Sequence, residues 1–396
     1  VDIILGIIAI IVVLGLAYLF SNDKKQINYK GLGVMLLLQI LTTWFMLNTG
    51  IGAAIINWIS AMFNKLIEFG TVGINFVLGG FTLQEGGVFF FNVLLLIIFF
   101  ATLLQVLTYL RILPLTIKYI GGFLSKITGV PRIESFNAVN SIFFGQSEAL
   151  IAIRSQFHYI DANRLFIVCA SAMSSVSASI VGSYILMLPA EYILVALPLN
   201  MFSALIVSSI MAPVKVPREK DKVDIKNVSD DKSVFEAMGN GALEGGKIAL
   251  IVAAMLITFI ASLELVNWLV QLVFADLTLQ EILGYIFAPF GILMGIPMNE
   301  VVDAGAIMGT KIVTNEFVAM LEFQPMLEYM SEKTIAVVTV FLTSFANFSS
   351  IGIIAGSVKG IDSEKASIVS GFGMKLLFNA ILTSILSATF AGLFIS

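Results

Sequence analysis

The sequence predicts an all-α polytopic membrane protein, built from eight transmembrane helices and two re-entrant helical hairpins arranged as an inverted repeat. Three observations lead there. Of 396 residues, 58% are hydrophobic and only 12% charged, against about 25% charged in soluble chains, so a water-facing surface could not be coated. Mean hydropathy is +0.99, and the apolar residues fall in uncharged runs of membrane length, not at scattered core positions. None of these runs alternates with period two, so helices and not a closed barrel must satisfy the backbone in lipid. A net charge of −4 and a pI near 5.2 exclude a basic nucleic-acid footprint. The single Cys169 and single His158 exclude an intrachain disulfide and the usual His/Cys metal clusters.

The first run, Ile3 to Phe20, has no basic segment before it and no small-residue cleavage site after it, so it reads as a retained span. Further spans are expected at Gly31 to Leu47, Val88 to Leu110, Leu165 to Leu188, Tyr192 to Met211, Ile248 to Leu263 with an extension, Ile335 to Val358 and Ile368 to Ile395. An interfacial helix is placed near residues 52–69, and spans one to three occupy residues 1–113. Spans four and five fall in 161–213, a linker in 214–244, span six in 245–275, and spans seven and eight in 332–396.

Orientation follows from lysines and arginines near the span ends. An outside N-terminus puts Lys24, Lys25, Lys30, Arg111, Arg154 and Arg164 on the cytoplasmic side. The same choice puts there the linker with Lys215, Arg218, Lys220, Lys222, Lys226 and Lys232, and then Lys359 and Lys365. Lys65, Lys311 and Lys333 fall outside, and Lys375 is ambiguous within the last span. Both termini are expected away from the cytoplasm. The linker also carries acids and reads as a solvated connection.

Two regions are too interrupted to span. Residues 114–160 contain Gly121, Gly122, Gly129, Pro131, Arg132 and Glu134, then two apolar limbs meeting at Gly145. Residues 280–326 repeat the plan with Pro289, Gly295 and Pro297, then two limbs joined at Thr314, Asn315 and Glu316. Non-helical backbone at membrane depth survives only where protein buries it or a wet cavity meets it, so each hairpin tip should face such a cavity. After each hairpin comes a span with a polar middle, expected to unwind near 174–180 in the fourth and near 345–352 in the seventh. Hairpin plus interrupted helix therefore occurs twice, entering from opposite sides. Two tips and two unwound middles would meet near the bilayer midplane, as in secondary transporters. Small serines can also serve plain helix packing, but the recurrence beside an intramembrane carboxylate favours a site.

The stretches PRIESFNAVNSIFFGQSEAL, SAMSSVSASIVGSY, IPMNEVVDAGAIMGTKIVTNEFVAML and SFANFSSIGIIAGSVKG resemble the concentrative nucleoside transporter family in its shorter bacterial form, in order and over essentially the whole chain. The resemblance implies a homotrimer in the bacterial cytoplasmic membrane and cation-driven nucleoside uptake. It also implies an elevator mechanism in which a transport domain slides on a scaffold of spans one to three and six, with the trimer contact falling to spans three and six. It needs no organic cofactor.

Carried over residue by residue, the resemblance gives Gln146 and Glu148 to the nucleobase, whose edge offers adjacent donors and acceptors, with Ser147 nearby. Glu316 accepts from ribose hydroxyls through charge-assisted bonds, and Asn347 and Ser350 meet the same sugar. Phe345 packs on the base, and Ile180 offers backbone contact where the fourth span unwinds. Ser141, the carbonyls of Phe144 and Val176, and the hydroxyl of Ser175 form a candidate sodium site. Sodium-coupled members resemble one another in carrying Asn at the position of Ser141. Here Asn140 lies one residue earlier, rotated by about 100° on a helix. Proton-coupled relatives also carry Ser there, so both ions remain open, with sodium favoured because unwound oxygen-rich backbone suits a hard cation.

An intramembrane serine hydrolase at Ser147 is disfavoured, since His158 lies beyond the short hairpin limb and no Ser/Lys dyad is evident. An elevator carrier for anions is disfavoured because Glu148 and Glu316 would repel the solute and no arginine occurs in the second repeat. His158 reads as an interfacial residue.

Overall fold

The computed structural model describes residues 2–79, 88–217, 221, 223, 231–274 and 277–395, and every regular element among them is helical. Arg218, Lys220, Lys222 and Lys226 of the linker, and the side chain of His158, lie outside the described residues.

Helix α1 (Asp2–Leu19) is followed by α2 (Tyr29–Asn48), whose first turn is capped by the Asn28 side chain accepting from Gly31 N–H. The chain then reverses at Thr49, whose hydroxyl accepts from Gly52 N–H at 2.9 Å and donates to the Phe45 carbonyl at 2.6 Å. Gly52 has no alternative here, because a Cβ would lie 1.9 Å from that carbonyl. Helix α3 (Gly50–Leu78) runs well past the interfacial segment expected at 52–69 and is long and apolar enough to cross a membrane. Its charges Lys65 and Glu68 pair with each other at 2.5 Å on an exposed face, which lets the helix continue past them.

A helical stretch from Phe90 contains a wide turn over Phe90–Leu94 and continues as α4 (Leu96–Tyr109). Helix α5 (Ile112–Thr128) starts after Arg111 at φ 60° and stops at Gly129 at φ 73°. It buries Leu113, Ile117, Gly121 and Leu124 along one face, the spacing of an amphipathic surface helix. The region expected to be one hairpin from residue 114 is therefore a surface helix followed by the hairpin. The hairpin itself is α6 (Arg132–Phe143) and α7 (Gln146–Ala152).

The fourth span is α8 (Ala162–Met173) and α9 (Ala178–Ile185), broken at Ser174–Ser177, and the fifth is α10 (Ala190–Met211). Helix α11 (Val234–Gln271) begins ten residues inside the expected linker, where Ser233 caps it by accepting from Glu236 N–H. Gly241 and Gly245 seat it directly on α4, since a Cβ would approach the Thr102 and Ile98 Cα atoms at 2.7 and 2.6 Å.

The second repeat follows the same plan. Helix α12 (Leu279–Leu293) opens with a capping box between Thr278 and Glu281. The hairpin is α13 (Val301–Val313) and α14 (Glu316–Phe323). The seventh span is α15 (Glu332–Leu342) and α16 (Phe348–Ile361), broken at Thr343–Asn347, and α17 (Ser363–Phe394) is the eighth. All eight expected spans fall on helices, and the repeated unit is one helix longer than the sequence suggests, with α5 and α12 as counterparts.

Burial divides the helices into two layers. Within the membrane-length windows, 94% of Ala162–Ile185 and 83% of both Ala190–Met211 and Ser363–Phe394 are buried, against 11% of Gly50–Leu78 and 17% of Val234–Gln271. The broken spans, α10 and α17 are thus the core, and α3 and α11 present apolar flanks outward. Inside the core, Arg164 meets Glu134 in a two-pronged pair at 2.5 and 2.9 Å, tying the first hairpin to the fourth span. Removing either partner would strand a buried charge.

Candidate functional site

The two breaks touch. Phe345 N–H donates to the Ser175 carbonyl at 3.0 Å, so the unwound middle of the seventh span is hydrogen-bonded to that of the fourth. Asn200 of α10 donates to the Thr343 carbonyl at 2.5 Å, satisfying a group the break leaves free. Both breaks end sooner than expected, with helix resuming at Ala178 and at Phe348.

Around this junction lies a cavity of about 270 Å³, at the small end of the roughly 300–1,000 Å³ range of small-molecule sites. Gln146, Ser147, Glu148, Ile180, Glu316, Phe345, Asn347 and Ser350 all line it. Four helices begin at its wall: α7 after Gly145, α9 after Ser177, α14 after Asn315 and α16 after Asn347. Their N-terminal N–H groups supply partial positive charge, which offsets the carboxylates of Glu148, Glu244 and Glu316 that line the same volume.

At the first tip, Gly145 has φ −63° and is not needed for backbone freedom. It is needed for space, because a Cβ would sit 2.3 Å from Glu148 Oε2, which folds back over the tip. The Gln146 side-chain oxygen is buried without a hydrogen-bond partner. Ser147 accepts from Ser357 of α16 at 2.8 Å.

At the second tip the polar groups are joined into one network. Glu316 accepts from Tyr184 Oη at 2.9 Å and from Asn347 Nδ2 at 3.2 Å. Asn347 Oδ1 in turn accepts from Ser350 N–H at 3.0 Å and from the hydroxyls of Ser349 and Ser350 at 2.7 and 3.1 Å. Asn315 caps α14 through Val318 N–H at 3.0 Å.

Ile180 lines the cavity by its side chain. Its N–H donates to the Ser177 carbonyl at 2.9 Å within the first turn of α9.

Of the candidate cation ligands, Ser141 is fully buried and donates to the Asn137 carbonyl at 2.8 Å. Ser175 Oγ lies 3.3 Å from the Ala172 carbonyl. Phe144 is extended at the end of α6, its N–H still donating to the Asn140 carbonyl at 3.0 Å. Ser177 Oγ reaches the Phe143 carbonyl at 3.4 Å, which brings the end of α6 against the break that contains Ser175 and Val176. Asn140 is used differently, donating to the Ala149 carbonyl and so pinning the two limbs together.

Sequence reasoning missed three parts of the site. Tyr184 holds Glu316 but reads as one aromatic in a packed span. Ile248, Ile251, Val252 and Met255 of α11 form an apolar wall of the cavity, with no signal to distinguish them from lipid-facing residues. Lys311, counted as an external charge, is fully buried, with its ammonium 2.7 Å from Ser344 Oγ and 3.1 Å from the Phe341 carbonyl. Its ammonium is turned toward these neutral oxygens, and the second repeat holds no arginine.

Three family models tile the chain: Na+ dependent nucleoside transporter N-terminus over residues 8–81, nucleoside recognition over 90–191, and Na+ dependent nucleoside transporter C-terminus over 192–392. The chain belongs to the Na+-dependent, concentrative nucleoside transporter family. It is 38% identical to the purine nucleoside transport protein NupG of Bacillus subtilis over 99% of both chains, and 32% identical to the nucleoside permease NupC of Helicobacter pylori over 98% of this chain and 97% of the other. Its fold matches CNTnw in an inward-facing substrate-bound state with TM-score 0.93 and 31% identity, covering 99% of this chain and 98% of that one. A CNTnw variant in an outward-facing state matches with TM-score 0.94 at 30% identity, covering 99% and 97%. The family is one of transporters, not of enzymes.

Proposed function

We propose that the chain is a cation-coupled nucleoside symporter that imports nucleosides across the bacterial cytoplasmic membrane, with sodium as the coupling ion. The observation that supports this best is the convergence of both hairpin tips and both span breaks on one cavity lined by three carboxylates (Glu148, Glu244 and Glu316), three side-chain amides and two aromatic rings.

In this reading Glu316, Asn347 and Ser350 take the ribose hydroxyls, Gln146 and Glu148 take the base edge with Ser147 beside them, and Phe345 and Ile180 pack on the ring. Ser141, Phe144, Ser175 and Val176 hold the ion. The core of broken spans, α10 and α17 is the moving domain of an elevator, and α11 is the wall it slides along. The exposed apolar flanks of α3 and α11, with the half-buried face of α4, suit lipid and the contacts of a homotrimer, with both termini outside the cytoplasm. The nearest functional name among the quoted relatives is a purine transporter, so guanosine and adenosine belong beside uridine as test solutes.

The test is uptake into proteoliposomes under an imposed sodium gradient and, separately, a proton gradient. Sodium-driven accumulation of a nucleoside is expected. Accumulation driven by protons alone would replace the ion, a result for which the short serine at 141 is the reason, and uptake of aspartate or citrate in place of nucleosides would overturn the reading.

A further inference from the structure

The two repeats can be put in register at their hairpin tips. In the first, α6 ends at Phe143 and Gly145 caps α7; in the second, α13 ends at Val313 and Asn315 caps α14. Four residues before these caps stand Ser141 and Lys311. The breaks align in the same way: the residue ending α8 is Met173 and that ending α15 is Leu342, which pairs Ala172 with Phe341 and Ser175 with Ser344.

In the first repeat the corresponding positions hold two hydroxyls, Ser141 donating to the Asn137 carbonyl at 2.8 Å and Ser175 lying 3.3 Å from the Ala172 carbonyl. In the second, the same corner is filled by an ammonium. Lys311 Nζ lies 2.7 Å from Ser344 Oγ, 3.1 Å from the Phe341 carbonyl and 3.4 Å from Ser384 Oγ, with the Phe341 ring 4.9 Å away. These oxygens are neutral, and among the described residues no carboxylate lies within ion-pair distance of the ammonium. A fully buried charge without a paired carboxylate is expensive unless the surroundings are built for it. The surroundings here are the carbonyl end of a half-helix, which carries partial negative charge and unpaired acceptors, and two hydroxyls hydrogen-bonded to each other at 3.0 Å. Such a shell of neutral oxygens at a helix C-terminus is what a monovalent cation takes at an unwound span.

We propose that Lys311 is a resident cation: in the second repeat its ammonium fills the place that the exchangeable coupling ion takes in the first, leaving the transporter one mobile cation site where the duplicated fold would otherwise form two. The ammonium holds the Phe341–Ser344 turn in place, and with it the neighbouring Asn347 and Glu316, whether or not an ion is bound elsewhere. This rests on the reading of the Ser141–Ser175 corner as the ion site.

The experiment compares the unmodified protein with Lys311→Ser, which installs the first repeat's residue, and Lys311→Met, which keeps length without charge or a coordinating oxygen. Nucleoside uptake into proteoliposomes and the thermal midpoint in detergent are measured against sodium concentration. The Hill coefficient for sodium should rise from about 1 to about 2 in Lys311→Ser, with a larger sodium-dependent rise in midpoint. Lys311→Met should lose at least tenfold in uptake at every sodium concentration. An unchanged sodium response in Lys311→Ser, or normal uptake by Lys311→Met, overturns the proposal. If Lys311→Ser does not fold at low salt, sodium or lithium during purification should recover it, and failure of both ions counts against the proposal. Should the unmodified protein ignore sodium while Lys311→Ser becomes sodium-dependent, sodium is not the coupling ion of the first repeat, which fails the proposed function, while the filled corner of the second repeat stands.

Discussion

The two hairpin tips are built from the same plan but are partnered differently. At the second, Glu316 is held by Tyr184 and Asn347, and Asn347 is itself saturated by Ser349 and Ser350. At the first, the Gln146 oxygen is buried with no partner among the described residues, and Glu148 folds back only onto the backbone of its own tip. A network that is fully bonded before the solute arrives is preorganised for one fixed shape. Unmet groups suit a feature that varies. The contrast fits a solute with a constant sugar and a changing base, the constant part facing the rigid tip.

The largest effect should come from breaking the rigid side. Glu316→Ala removes charge-assisted bonds worth about 1.5–3 kcal/mol each, so uptake efficiency should fall about 100-fold or more. Adding Asn347→Ala should cost little beyond that, because the two side chains act as one unit. Initial uptake rates with uridine against a 2′,3′-dideoxynucleoside sharpen the test: the variant's defect should vanish for the solute without the 2′ and 3′ hydroxyls. Normal uridine transport by Glu316→Ala would end the assignment.

Next is Gly145→Ala. The added methyl meets the flexible end of Glu148, 2.3 Å away in the present arrangement, and backbone φ is already ordinary. Uptake should drop roughly tenfold with a nearly unchanged thermal midpoint, since the clash displaces a side-chain carboxylate and strains no backbone. A large fall in midpoint would mean that the glycine serves folding.

Gln146→Ala and Glu148→Ala probe the adaptable side. Gln146→Ala should re-rank cytidine, adenosine and guanosine as competitors by about 3- to 10-fold, the scale of one or two neutral hydrogen bonds, and Glu148→Ala by about 10-fold, the scale of one bond to a charged group, while the penalty for losing the ribose hydroxyls stays constant. Equal losses for all bases would erase the contrast between the tips. Smallest is Ser357→Ala, which deletes the 2.8 Å bond to Ser147 between α16 and α7. A second cavity of about 790 Å³ lies beyond that bond, lined by Arg154, Ser155 and Gly360. The substitution should alter the transport rate about twofold, the scale of a single exposed bond, with KM unchanged; a changed KM would place Ser147 in solute binding.

Much of this was legible in the chain. Gly145 and the Thr314–Asn315 pair are polar punctuation inside apolar limbs, so the tips could be located, and the serines after Met173 and Leu342 marked the breaks within a few residues. The limits of the repeat were less legible: α5 and α12 merge with the hairpins in a hydropathy profile because Gly129 and Gly295 look like hairpin interruptions, whereas they end separate helices. The apolar wall from Ile248 to Met255 carried no mark at all, since an isoleucine facing lipid and one facing a solute have the same composition.

By itself the sequence determined that this is a helical membrane protein, that its hairpin-and-break plan occurs twice, and which residue types stand at the joints. These are local properties, set by hydropathy and by where glycine, proline and short polar side chains interrupt a run. Only the tertiary structure decided that the two breaks bond to each other through Phe345 and Ser175, that Tyr184 reaches Glu316, and that Lys311 lies inside and not in water. A charge belongs to whichever helices enclose it, and that enclosure is a property of packing between segments far apart in the chain.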